Sequence, residues 1–205
     1  MLLERGNFQN NYLFMKKLLA IIVLGLLWNN VSYSNVIMQD LIKTLEETKK
    51  PKSIEVAKTL KLINASEKSY DLVIRKANLN LEDARNIANA ISRVEKNNGP
   101  KLHTLSMSFN QELKDEGVIA ILNLIPKTTS VIAFVECGIT DKAGQAIIDW
   151  AATTKSLDGI YIEGNLFSKS MEAKFEKLRI DNPQLTVLSE WASEEFKEMV
   201  KKSFN

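Results

Sequence analysis

The stretch Leu102-His103-Thr104-Leu105-Ser106-Met107-Ser108-Phe109-Asn110 decides how this chain folds. The alternation Leu105-Ser106-Met107 has the two-residue period of a strand with one buried face, and Leu102 adds a further inward side chain. Ser106 and Ser108 fall on the outward side. Asn110 follows where the chain must turn, and its side chain can bond backbone groups there. A strand this short buries little by itself, so it calls for neighbours of the same kind.

Those neighbours are present. Ile132-Ala133-Phe134-Val135-Glu136-Cys137-Gly138-Ile139 and Leu157-Asp158-Gly159-Ile160-Tyr161-Ile162-Glu163-Gly164-Asn165-Leu166-Phe167 have the same layout, with Cys137 and Asn165 in the turn position. An earlier copy, Leu72-Val73-Ile74-Arg75-Lys76-Ala77-Asn78-Leu79, has alanine there, and a degenerate last copy is Leu185-Thr186-Val187. Taking Ile74, Met107, Phe134, Ile162 and Val187 as equivalent gives spacings of 33, 27, 28 and 25 residues. The long first spacing is read as a loop insertion around Lys96 to Pro100. After each turn comes a helical stripe with gaps of three and four: Ala84, Ile87, Ala88 and Ile91; Val118, Ile121, Leu122 and Ile125; Ala143, Ile147 and Trp150; Met171, Phe175 and Leu178. Ala84, Gly117 and Gly144 stand early in these helices, where a small residue permits close helix–strand packing.

The pattern L-x-x-L-x-L-x-x-N/C-x-L over residues 69–188 resembles the ribonuclease-inhibitor-like subclass of leucine-rich repeat proteins, and the segment Ile139-Thr140-Asp141-Lys142-Ala143-Gly144 is similar to that subclass's turn-to-helix junction. Leu102 to Ile125 also resembles the repeat domain of tropomodulin-type actin-capping proteins, although an export segment argues against an actin role. The resemblance implies an α/β fold: a short solenoid with parallel strands on a concave face, helices on a convex face and four to five repeats. It implies function by binding, with no catalytic residues to assign, and four or five repeats give a short arc rather than a deep horseshoe.

The flanks read as helical caps over the apolar ends that a stack of repeats leaves open. In 35–68, Ile37, Leu41 and Leu45 share one side of a first helix; Pro51 breaks it, and Ile54, Ala57, Leu60 and Leu62 suggest a second. In 189–205, Trp191, Phe196, Met199 and Val200 stand among acids that lead and lysines that trail, an order that complements a helix dipole.

Residues 1–34 read as export machinery. Lys16 and Lys17 precede an apolar run from Leu18 to Trp28, and Ser32 and Ser34 sit where a signal peptidase reads small residues, with translation starting at Met1 or Met15. The run is shorter than the roughly 20 residues that span a bilayer, so no stable membrane span is expected after cleavage, and the location is periplasmic or secreted. Cleavage removes three basic and one acidic residue from totals of 27 and 25, leaving the remainder balanced. Nucleic-acid binders carry a basic excess, so nucleic acid is not an expected partner.

Little chemistry is available. One cysteine excludes an internal disulfide and a multi-thiolate zinc site, and one histidine excludes HExxH. Phosphate-binding glycine loops, the G-x-S-x-G elbow and a calcium loop of the EF-hand type are absent from the sequence. Asn64-Ala65-Ser66 is a glycosylation sequon. No cofactor, metal or catalytic residue is expected. His103 is read as an outward strand residue and Cys137 as a buried turn residue.

The residues left to carry function face outward between the core positions, in two rows. One runs Val73, Ser106, Ala133, Tyr161 and Thr186; the other runs Arg75, Ser108, Val135, Glu163 and Leu188. A small or apolar centre with Arg75 and Glu163 on opposite flanks is the layout of a protein-binding patch. The expected contact residues are Arg75, Ser106, Phe109, Ala133, Val135, Tyr161 and Glu163. The expected function is capture of a protein or peptide by a monomer. The alternatives are a small periplasmic hydrolase or thiol enzyme using His103 or Cys137, and a structural cell-envelope protein.

Overall fold

Five parallel strands pair in chain order: β1 (Ser69–Val73), β2 (Lys101–Ser106), β3 (Val131–Ala133), β4 (Gly159–Tyr161) and β5 (Thr186–Leu188). The structure, a computed structural model, describes residues 37–63, 67–191 and 193–202. Parallel neighbours require a crossover, and helices supply it: α3 (Leu81–Lys96), α4 (Lys114–Leu122), α5 (Asp141–Ala152) and α6 (Lys169–Asp181). These helices contact one another in the same order as the strands, so the molecule has a sheet layer and a helix layer. The export segment and the sequon at Asn64 lie outside the described residues.

The inward side chains of the strands meet the predicted helical stripes. Leu72, Ile74, Leu105, Met107, Ile132, Phe134, Ile160 and Ile162 are fully enclosed with Ala84, Ile87, Ala88, Ile91, Val118, Ile121, Ala143, Ile147 and Phe175. Each large apolar side chain moved from water to this core contributes roughly 1.5–3 kcal/mol. At Gly144 a Cβ would stand 2.9 Å from Met171 Cγ and 3.1 Å from Phe167 Cε1, so only a bare backbone lets α5 and α6 close up.

Pairing aligns Leu72, Leu105, Ile132, Ile160 and Val187. This corrects the sequence alignment at its last step. Val187 is the counterpart of Ile160, not Ile162, so the final interval is 27 residues and matches its neighbours. The long first interval also has a different origin. Helix α3 has 16 residues against 9 in α4, and only four residues, 97–100, join it to β2. The extra length is helix, not loop.

The turn position works by reaching back to the preceding strand. Asn110 Oδ1 accepts from Ala77 N at 2.9 Å and Leu79 N at 3.0 Å, while Nδ2 donates to Ile74 O at 2.9 Å and Met107 O at 2.8 Å. Asn165 does the same one pair later, accepting from Cys137 N at 2.9 Å and donating to Phe134 O and Ile162 O. Between them, Cys137 Sγ donates to Met107 O at 3.2 Å. Ala77 can lack such a group because β1 has no strand before it to bridge. A second chain of bonds links helix starts. Asp115 accepts from Thr140, the N-cap of α5, through N and Oγ1 at 2.7 and 2.6 Å, and Asp141 accepts likewise from Ser168, the N-cap of α6, at 2.8 and 2.5 Å.

Two further helices precede β1. In α1 (residues 37–47) the stripe Ile37, Leu41, Leu45 is buried as expected. Pro51 opens α2 (Pro51–Leu60) at a position where a missing N–H costs nothing. Its buried stripe is Ser53, Ala57 and Leu60, whereas Ile54 is half-buried and Leu62 is 85% exposed, because the helix ends before 62. Arg93 of α3 reaches Asp40 of α1 at 2.5 Å, and Lys50 pairs with Asp83.

Helix α7 (Glu194–Lys202) departs from the expected end cap. Lys201 Nζ lies 2.9 Å from Glu136 Oε1 beyond β3, and Lys76 Nζ donates to Lys201 O at 3.4 Å beyond β1. Trp191 comes against Gly164 beyond β4. The helix therefore runs back along the C-terminal rim of the sheet. The end of the stack, where α6 meets β5, is instead an open groove lined by residues such as Lys169, Glu172, Arg179 and Leu188. Among the described residues, no helix is long and apolar enough to cross a membrane.

Candidate functional site

Three rows of outward side chains cross the sheet. The first is Asp71, Thr104, Val131, Gly159 and Thr186, and the second is Val73, Ser106, Ala133, Tyr161 and Leu188. The third continues beyond the strands through Lys76 N to Ser108 O, Phe109 N to Val135 O and Glu136 N to Glu163 O, which align Arg75, Ser108, Val135 and Glu163. Thr186 and Leu188 thus each stand one row away from their expected place, a result of the two-residue error at β5. His103 is exposed beside a bulge, since Tyr70 pairs with Leu102 but Asp71 with Thr104.

On the first three rungs burial increases toward the rim where α7 lies; on the fourth, Gly159 is already buried and Tyr161 half-buried. Asp71 and Thr186 in the first row are exposed. In the second, Val73 and Leu188 at the ends are 41% and 37% exposed, while Ser106 and Ala133 in the middle are buried. In the third, Ser108, Val135 and Glu163 are all buried. Of the expected contact residues, Arg75, Phe109 and Tyr161 are half-buried, and Ser106, Ala133, Val135 and Glu163 are enclosed. The chain's own terminal segment borders the third row, where Lys201 meets Glu136 and Trp191 meets Gly164. The Tyr161 ring lies back over Gly159, whose missing Cβ would otherwise meet Cε2 at 2.8 Å.

The charges expected on opposite flanks act on one another. Burial lowers the Arg75 pKa, and the Glu163 carboxylate partly opposes this. Burial raises Glu163 to about 7 despite backbone hydrogen bonds and the opposing field of Arg75. Ser108 and Val135 between them are small enough to let the two long side chains approach over the sheet. Phe109, held at φ +63°, puts its ring 5.5 Å from both Arg75 Cζ and Lys76 Nζ, a cation–π arrangement that holds both cations at the first rung.

The rim is imperfectly matched. Glu163 Oε2 and Trp191 Nε1 are buried without a hydrogen-bond partner among the described residues. An unsatisfied buried polar group costs about 1–3 kcal/mol. Gly164, at φ +71°, provides the shelf that holds Trp191: a Cβ there would be 2.7 Å from Glu136 Cγ and 2.8 Å from Trp191 Nε1. Gln111, Glu112, Lys114, Leu166, Lys197 and Lys201 complete the groove between α7 and the turns. A second groove lies at the other flank, where Lys52, Glu55 and Val56 of α2 face Asp71, Val73 and Arg75.

Sequence reasoning missed Trp191, Lys197 and Lys201 as part of this face. Their only signal was an amphipathic tail, which states that a helix needs a surface but not which one. Cys137 is fully buried, and burial pushes its thiol up to about 12, so it holds a turn together and has no solvent route to a substrate. No three or more His, Cys, Asp or Glu among the described residues are grouped to hold a metal ion. No family model matches the chain, and no curated protein matches it.

Proposed function

We propose that the chain is a short leucine-rich repeat solenoid of the ribonuclease-inhibitor-like type, exported from the cell, which binds a protein or peptide through the concave face of its sheet. The observation that carries this reading is the bonding of Asn110 and Asn165, each tying its own turn to the preceding one with the same set of backbone partners. The in-order parallel pairing at intervals of 27 and 28 residues supports it as well. Such a stack presents side chains in parallel rows about 4.8 Å apart, a surface suited to reading an extended or helical ligand. The partly open second row, with Val73, Tyr161 and Leu188, is where a ligand makes apolar contact, and Asp71 and Arg75 give it charged borders.

Substituting Val73→Glu and Tyr161→Glu together tests the assignment. Both side chains are only partly covered, so the melting temperature stays near that of the native chain while crosslinked capture of partner proteins is lost. The same set of proteins captured by both chains overturns the assignment.

A further inference from the structure

We propose that Trp191 and helix α7 (Glu194–Lys202) form a resident ligand of the concave face, occupying in cis the rim on which a basic amphipathic helix of a partner docks, so that binding is exchange of one helix for the other. This rests on the reading of the concave face as a binding surface.

The match of lengths is the first support. Nine helical residues extend about 13–14 Å, and three strand intervals cover about 14 Å. Trp191 sits against Gly164 beyond β4, and the far end reaches Lys76 beyond β1. The helix is thus long enough to cross four rungs. The second support is position: the row next to α7 holds Ser108, Val135 and Glu163, all buried, and Lys201 of α7 pairs with Glu136 beside that row.

The third support is the quality of the fit. The occupant leaves Glu163 Oε2 and Trp191 Nε1 without partners among the described residues, and Met199 stays 56% exposed. Its ion pair, Lys201 to Glu136, is partly open to solvent. A competing helix that keeps a cation for Glu136 and adds a donor for Glu163 satisfies the face better than α7 does. That defines the partner's chemistry: a short helix with lysine or arginine on one side and an aromatic residue for the Gly164 shelf. A nine-residue helix cannot sustain itself in water, so once displaced the tail loses its structure, while the sheet and its turn bonds stay intact.

The probe is a fluorescein-labelled synthetic peptide of residues 189–205, titrated into the full chain by fluorescence anisotropy. The native chain, its rim filled in cis, binds weakly. The full chain carrying Trp191→Ala and Lys201→Ala binds at least ten-fold more tightly, and a peptide with Lys201→Glu loses that gain. Lys201→Glu in the full chain, with Trp191 kept, is the second variant should the first fail to show a native far-ultraviolet spectrum and cooperative melt. Equal affinity of native and variant chains overturns the proposal, as does absence of binding to a folded variant. Crosslinked capture separates the two levels. Partners captured equally by native and tail-released chains overturn the resident ligand and leave the binding face standing, whereas neither peptide binding nor capture overturns both.

Discussion

The turn at Asn110 and the rim at Glu163 arise from the same stretch of neighbouring rungs, yet they treat buried polar atoms in opposite ways. At Asn110 both amide groups are fully used, binding four backbone atoms at 2.8–3.0 Å. At Glu163 a carboxylate oxygen is enclosed with no partner among the described residues. The first arrangement lowers free energy and fixes geometry. The second raises free energy and leaves a demand that another molecule can meet. The contrast separates what holds this fold together from what it has available for recognition.

Four experiments break or sharpen that contrast. Asn110→Ala has the largest effect: it strips partners from two buried N–H groups and two carbonyls, and urea denaturation shows a loss of about 3–5 kcal/mol. A loss below about 1 kcal/mol shows that the turn is not a bonded hub.

Next comes Glu163→Gln, read as stability against pH. The folded-state value near 7 lies above the ordinary 4.5, so the folded chain holds a proton over that interval that the unfolded chain releases. The contribution is fully present below about pH 4.5 and is lost as pH rises through 7. Native stability therefore falls between pH 5 and 8 by on the order of 2 kcal/mol, with the Arg75 guanidinium partly opposing the effect of burial. The glutamine chain shows a flatter profile, and parallel profiles contradict the burial of this carboxylate.

Thr140→Val probes the matched side at a half-buried edge. It removes an N-cap and a hydroxyl donated to Asp115 at 2.6 Å, for a loss of about 1 kcal/mol by denaturation. Lys201→Ala is the smallest in global terms, within about 0.5 kcal/mol of native. Its signature is local: hydrogen exchange speeds up in residues 194–202 while the amides of Met107 and Phe134 stay protected. Uniform protection throughout places α7 with the matched region instead.

The strands were legible because a two-residue period followed by Asn or Cys has few other solutions, and the stripes of α3 to α6 were legible because their apolar gaps fit one helix face. The frame of the last strand is displaced by two positions in the sequence because Leu185-Thr186-Val187 lacks the asparagine or cysteine that marks the turn in the three copies before it. The length of the first interval is not legible as helix because helix length is set by where packing stops, and α3, with 16 residues, continues past the point where the 9-residue α4 ends.

The candidate face was legible only as a set of outward positions. The sequence by itself determined which side chains point into the core and which point out, since alternation along a strand is a local property of the backbone. Tertiary structure alone decided which outward side chains meet water. Trp191 and Lys201 lie 27 and 65 residues from the Gly164 and Glu136 they cover, and an amphipathic helix carries the need for a surface without the address of one.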